Sequence, residues 1–303
     1  PEIITYAKEV GCRYVQLNSN GLRLAEEDGY AKKLADAGLS FVFLQFDGTG
    51  DKVWQQLRGR PLAEVKETCI RNCDTAHLGV TLVPTLVPGV NIHEIGDIIR
   101  FAIKNSPAVR GVHFQPVSFL GHMPHLPVDE DRFTLDELLY ELRTQAGKWI
   151  HQEDIAPSAC GHPLCGFHGD FVVMPDRTLM PLTRRGSSQG ECCCGVNTVN
   201  PAEKNREFVG RRWERRDGAT ASQGDSCCST SAPKSGSSCC SGSSMSMEDF
   251  LDRAKSHGFT ITAMAFQDAG NLDIERLRQC SLHVYKDGRM VPFCSYYLTP
   301  FGE

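Results

Sequence analysis

The chain has 303 residues, room for about two domains and a sizeable core. Its 32 Lys and Arg against 37 Asp and Glu leave a net charge of −5, which excludes nucleic acid as the main ligand, and no apolar run approaches the roughly 18 residues of a bilayer span. Half of the 14 cysteines fall between Cys192 and Cys240; a long chain with clustered thiols and no secretory signal pattern points to the cytoplasm and to metal or redox chemistry, not to a secreted disulfide scaffold.

The first part alternates helix and strand. Ile3 to Val10 reads as the end of a helix stopped by Gly11, already under way at Pro1, so the true N-terminus is expected upstream. Arg13 to Leu17 is β-rich and ends in the turn Asn18-Ser19-Asn20-Gly21. A helix over 30–37 stops at Gly38, and Phe41 to Phe46, almost wholly apolar, reads as a strand buried on both faces. Leu62, Val65, Cys69, Cys73 and Ala76 recur at helical spacing; the two cysteines are read as core, because a Cys-x3-Cys-x2-Cys pattern would need a cysteine where Ala76 stands. Val80 to Val87 is a strand interrupted by Pro84, Asn91 with Glu94 predicts a capping box before an apolar stripe from Ile95 to Ile103, and Val109 to Phe114 is a fourth strand. This alternation implies parallel βαβ units, too few to close a barrel.

The pattern changes after Pro116. Thr134 with Glu137 opens a helix running to Trp149, and a Cys/His/Gly/Pro segment follows from Cys160 to His168. Glu207 to Arg216 is basic and helical in character, with a solvated face as its default reading. From Asp217 to Ser246, Ser and Gly dominate, and a disordered linker is expected. Order returns with a helix from Met247 to His257, closed by Gly258, and strands at 261–266 and 282–285.

In a parallel α/β scaffold the ligand site lies at the C-terminal ends of the strands. Those ends carry Asn20 and Gly21, Asp47, Asn91 and Gln115, with Arg58 following the second strand as a candidate carboxylate fork or a solvated turn. Each is also an ordinary turn former; four polar tips on one rim favour a ligand. Cys160-Gly-His-Pro-Leu-Cys165 is a tight loop able to place two sulfurs on one metal, and Cys280 and Cys294 are the candidate distant partners, with small buried hydrophobes as the alternative. The adjacent cysteines Cys192-Cys193-Cys194, Cys227-Cys228 and Cys239-Cys240 suit thiol exchange or a soft metal; for the last two pairs drift in a Ser/Gly linker is the preferred reading, and the triplet outside it carries more weight.

Leu17-Asn-Ser-Asn-Gly-Leu-Arg-Leu24, Phe46-Asp-Gly48, Leu57-Arg-Gly59, Pro88-Gly-Val-Asn91 and Val109-Arg-Gly-Val-His-Phe-Gln-Pro-Val117 together resemble the strand ends of radical S-adenosylmethionine (SAM) enzymes. With Cys160 to Cys165, Ala263 to Ala269 and Pro292-Phe-Cys294, the order resembles the branch holding the archaeal tetraether lipid synthases, and within it the TrsS type of radical SAM (seleno)protein. The resemblance implies the C-terminal half of a radical SAM partial (β/α) barrel over 1–125, a Cys-containing α+β auxiliary domain over 126–216 and 247–303, and the linker over 217–246. It implies SAM, a [4Fe-4S] cluster that reductively cleaves it to a 5′-deoxyadenosyl radical, an electron donor such as ferredoxin or flavodoxin, and a small-molecule or lipid substrate. Asn20 and Gly21 would approach the ribose or methionine part of SAM, Arg58 its carboxylate and Asn91 its adenine, with Asp47 and Gln115 on the same rim. Cys160, Cys165, Cys280 and Cys294 would bind an auxiliary iron–sulfur or mononuclear iron centre, and the Cys192 triplet would mark where relatives use selenocysteine. The family's Cys-x3-Cys-x2-Cys motif is missing from these residues. The expectation is therefore truncation, and no radical generation by this chain alone. Two other readings stand beside it: a Zn-stabilised thiol-rich metal-binding protein, and an ordinary α/β-barrel metabolite enzyme.

Overall fold

The computed structural model describes residues 1–120, 127–158, 162–182, 210, 212–215 and 245–298. In its first half, helices α1 (Glu2–Glu9), α2 (Leu22–Glu26), α3 (Tyr30–Asp36), α4 (Asp51–Arg58), α5 (Ala63–Thr75) and α6 (Ile95–Lys104) alternate with strands β1 (Gln16–Ser19), β2 (Phe41–Gln45), β3 (Gly79–Val83), β4 (Thr85–Leu86) and β5 (Val109–Pro116). There follow α7 (Leu135–Ala146), β6 (Ala156–Pro157), β7 (Gly166–Val173), β8 (Leu179–Pro181), α8 (Met247–Ser256) and β9 (Gly258–Met264). The end is α9 (Ile274–Arg278), a hairpin of β10 (His283–Lys286) and β11 (Arg289–Pro292), and α10 (Phe293–Tyr296).

One mixed sheet carries the molecule, in the order β1-β2-β3-β5-β9-β7-β6, with β4 beside β5 and β8 beside β7. The pairs from β1 to β9 are parallel; β7 turns antiparallel to β9, and β6 and β8 are antiparallel to β7. The expected α/β class and parallel sheet are present, but the sheet does not end at the boundary expected near residue 125. Gly258, expected to end a helix, opens β9, which becomes a fifth member of the parallel row by pairing Gly111 with Thr260. Alternation explains the layers. Val42, Leu44, Val80, Leu82, Val112, Phe114, Ile261 and Ala263 join the helices in one core, and the side chains between them, several also buried, face the other side of the sheet, the lumen. Cys69 and Cys73 are fully buried in that core, as their spacing predicts; a Cys69 hydrogen bond and burial push the Cys73 thiol far up.

The lumen has a floor that the sequence pattern concealed. Residues 210 and 212–215, part of the basic stretch expected to be solvated, lie across the lower sheet. Trp213 meets Phe43 and Phe41 edge-on at 4.8 and 5.4 Å, and its Nε1–H donates to Thr260 Oγ1 at 2.7 Å. Arg110 donates to the Arg212 carbonyl at 2.7 Å, and a Cβ at Gly79 would strike the Trp213 carbonyl. Packed aromatic area outweighs the local charge: Arg212 gives Nη1 to the Ala254 carbonyl, and Arg215 pairs with Asp74.

Of the two expected capping boxes, one forms. Thr134 and Glu137 form the predicted capping box on α7. Asn91 and Glu94 do not: the Asn91 side chain turns inward, and the Glu94 carboxylate accepts from Thr49 N–H at 2.6 Å and Thr49 Oγ1 at 2.9 Å.

Candidate functional site

The C-terminal tips of the parallel strands surround a cavity of about 330 Å³. Its walls are Asn18, Ser19 and Asn20 from β1, Phe43 and Gln45 from β2, Val83 and Thr85 from the next two strands, and Gln115 from β5. Amides and hydroxyls dominate, with one aromatic ring, a set suited to a polar small molecule with a stacking face.

Of the expected rim residues, Asn20 and Gln115 line this cavity. Gly21 sits behind it in a left-handed conformation, φ +79°, where a Cβ would come within 2.6 Å of Leu44 Cδ1. Only glycine lets the chain turn here against the core. Asp47 and Asn91 correct the expectation of direct contact. Both are fully buried with their polar atoms spent inside the protein. Asn91 donates to the Asp47 carbonyl at 2.8 Å and the Thr85 carbonyl at 2.7 Å, and accepts from Val87 N–H at 2.8 Å. Asp47 accepts from Thr85 N–H at 3.0 Å and from Arg58 Nε at 2.8 Å. Arg58 is thereby anchored, and the Gln45 amide, with its oxygen turned inward, accepts from the same guanidinium at 2.5–3.2 Å. The rim expected to touch a ligand is thus two layers: a lining of Asn20, Gln45, Thr85 and Gln115, and beneath it a brace of Asp47, Arg58 and Asn91.

Lys66 belongs to that brace and was missed. It occupies the buried stripe of α5, four residues before Ile70 and seven before Cys73. That position was the readable signal, a lysine where helical spacing demands an apolar residue. It is fully buried, its Nζ donates to the Asn20 carbonyl at 2.5 Å, and it lies 4.8 Å over the Trp54 ring. Burial pulls its ammonium down to about 8, against the pull of Asp47 and Cys69 in the other direction.

The thiols gather at the antiparallel edge. Cys165 opens onto β7, and its Sγ accepts from Arg276 Nε at 3.4 Å. Arg276 is tied by Nη2 to the Ala265 carbonyl at 2.8 Å. Cys294, buried, accepts from Gln267 N–H at 3.3 Å, and Cys280 Sγ–H donates to the Leu282 carbonyl at 3.0 Å. Burial raises the Cys294 thiol pKa; nearby Cys280 and Cys165 raise it further, while Arg276 opposes them. Cys160, the Cys192 triplet and the pairs at 227–228 and 239–240 lie outside the described residues. Among the described residues no group of three His, Cys, Asp or Glu side chains is arranged to hold a metal ion, and no helix is long and apolar enough to cross a membrane.

Residues 2–102 match the Radical SAM superfamily model. The match runs from α1 into α6 and so contains the strand tips from Asn18 to Asn91 that build most of the rim. The radical SAM region stops short of β5, β7 and β9. The chain as a whole is 32% identical, over 337 aligned positions, to the 7,8-dihydro-6-hydroxymethylpterin dimethyltransferase of Methanocaldococcus jannaschii. That alignment takes in 98% of this chain and 63% of the relative, so the chain spans somewhat less than two thirds of the relative's length.

Proposed function

We propose that these residues form the SAM-binding half and the thiol-bearing edge of a radical SAM enzyme. The observation that carries the reading is the single cavity closed by the tips of successive parallel strands, most of it within the region that matches the superfamily. The lining fits SAM: Asn18, Asn20, Gln45, Thr85 and Gln115 offer donors and acceptors for its ribose and amino-acid groups, and Phe43 offers a face to adenine. SAM beside a reduced [4Fe-4S] cluster would supply one-electron radical chemistry. The residues present do not fit that cluster, since these 303 contain no Cys-x3-Cys-x2-Cys. What this chain supplies is positioning. Lys66 holds the Asn20–Gly21 turn, Asp47 and Asn91 hold the turns after β2 and β4, and Trp213 shuts the lower lumen to water.

The thiol edge is proposed as an auxiliary iron centre on Cys160, Cys165, Cys280 and Cys294. Its support is the Cys-Gly-His-Pro-Leu-Cys spacing, with Arg276 donating to Cys165 and Gln267 N–H to Cys294. The substrate is proposed to be a small molecule, with methylation of a pterin as the reaction carried in the relative's name. The finer TrsS-type assignment, the domain limits and an outside electron donor remain part of this proposal.

The test is binding of S-adenosylhomocysteine, which needs no reducing cluster. The chain binds it, and Asn20→Ala with Gln115→Ala weakens it at least tenfold in calorimetry. Undiminished binding by the double variant removes the rim as the SAM site. Anaerobic iron and sulfide analysis decides the edge: iron in the wild type, lost in Cys294→Ser, supports the auxiliary centre, and zinc without labile sulfide supports the Zn-stabilised alternative.

A further inference from the structure

The sheet register builds a row across the lumen face that the SAM reading leaves unused. Gln45 pairs with Val83, and Leu82 pairs with Val112, which sets Val83 beside His113. His113 pairs with Thr262, and Thr262 pairs with His168. Their neighbours Leu44, Leu82, Val112, Ile261 and Phe167 belong to the core, so the row itself points into the lumen. Gln45 and Val83 already wall the cavity, and its Phe43 ring lies 5.5 Å from the His113 ring. The row therefore continues the cavity wall with two imidazoles on either side of a threonine hydroxyl.

These groups hold unspent hydrogen-bonding capacity. His113 Nδ1 and Thr262 Oγ1 are 2.7 Å apart, and no described residue pairs with His113 Nε2. His168 Nδ1 is buried without a partner, and so is Thr81 Oγ1, one position lower on β3. Buried polar atoms are rarely left so, and the two on this face call for a ligand or ordered water. His113 is also uncharged. Burial draws His113 down to about 4, so it is an uncharged imidazole at neutral pH. The nearby cations are committed elsewhere: Lys66 to Asn20, Arg58 to Asp47, and Arg110 to the carbonyls of Arg212, Lys255 and Ser256. An anion buried against this wall would lack a counter-charge.

We infer that the His113–Thr262–His168 row is the substrate-reading wall of the lumen, and that it takes an uncharged flat ring carrying a hydrogen-bond donor and acceptor on one edge. A neutral imidazole presents one donor and one acceptor, which matches such an edge and rejects a carboxylate or phosphate. The inference rests on the radical SAM reading for calling this ligand the substrate, and its test reads the wall separately. The probes are 6-hydroxymethylpterin, neutral, and pterin-6-carboxylate, the same ring with a charge, titrated by fluorescence into the full chain. S-adenosylhomocysteine is titrated alongside. The neutral probe binds at least tenfold tighter than the carboxylate, and Thr262→Val and His168→Leu each weaken it about tenfold. Thr262→Ser restores it, and S-adenosylhomocysteine binding is unchanged throughout. In the wild type, the neutral probe also shifts the imidazole NMR signals of His113 and His168, a readout that needs no variant to fold. Equal or tighter binding of the carboxylate, no binding of the neutral probe, or no shift at either histidine overturns the wall assignment. Failure of S-adenosylhomocysteine alone counts against the radical SAM reading, and the pterin preference then still decides the wall.

Discussion

The parallel half and the antiparallel edge use polar side chains in different ways. In the parallel half, buried polar groups reach across elements: Asp47 joins the end of β2 to α4 and β4, Asn91 joins the turn before α6 to the same point, and Lys66 ties α5 to the tip of β1. At the edge Asp268 likewise reaches Arg132 and Phe119 N–H, but the thiols themselves are lightly held: Cys280 bonds two residues on, and one guanidinium serves Cys165. The first arrangement is finished before any ligand arrives. The second leaves its thiols with few contacts of their own, as the iron centre proposed above would require.

The largest effect is expected where the brace is most shared. Asp47→Ala strips a fully buried carboxylate from Arg58 and from Thr85 N–H, and costs roughly 4 kcal/mol in urea unfolding. S-adenosylhomocysteine binding falls with it, although Asp47 touches no ligand. A loss below about 1 kcal/mol would show the brace to be solvent-compensated and would erase the contrast with the edge.

The seam between the halves is expected to set acid stability. His113 and His257 are both drawn down to about 4, His113 by burial alone and His257 by burial and then by Arg253 and Arg110. The unfolded chain takes up these protons near pH 6.5 and the folded chain does not, so stability is whole above 6.5 and falls as pH drops toward 4. For His113 the loss over that window is roughly 3 kcal/mol. His113→Gln flattens the slope; an unchanged slope in calorimetry at pH 4.5 and 7 would place the acid sensitivity elsewhere.

Lys66 gives a smaller effect at neutral pH, with the same sense but in a higher pH window. Its folded pKa lies near 8, below the ordinary 10.5, so the unfolded chain holds the extra proton between those values and stability rises with pH across them. Lys66→Met removes that rise. At pH 7 it changes stability by only about 1 kcal/mol, because the methionine fills the slot and the desolvation cost disappears with the lost bond to Asn20. Affinity for S-adenosylhomocysteine nevertheless falls, since the Asn20 turn loses its anchor.

Lys66 also shows how far the sequence could be read. Runs such as Phe41 to Phe46 and the stripe of α6 state their periods openly, and the α/β class follows. The tips of the strands were equally visible as a set, because turn chemistry and ligand chemistry use the same residues. Which tip faces the cavity and which lies beneath was not visible: Asn20 and Asn91 are the same residue type after the same kind of strand, and only the distant Asp47 and Thr85 carbonyls decide that Asn91 turns inward. The floor was hidden for a similar reason. Trp213 sits among arginines that read as solvated, and its partners Phe41, Phe43 and Thr260 are contributed by strands far away in the chain. The fifth parallel strand was hidden too, since local pattern does not say which neighbour β9 joins.

Cys165→Ser is the gentlest change and the one that separates the two halves most sharply. The side chain is half-buried and its contact is Arg276 Nε at 3.4 Å, which a serine oxygen can also accept. In metal-free protein the variant is expected to unfold within about 0.5 kcal/mol of wild type. After anaerobic loading with iron the two diverge: the wild type gains stability by mass action and the variant does not, because one cross-link of the edge has lost its thiolate. If the apo proteins already differ by several kcal/mol, the edge is braced by the polypeptide in the same manner as the rim. If they remain equal after loading, Cys165 holds no iron, and the thiols at 165, 280 and 294 are neighbours without a common task.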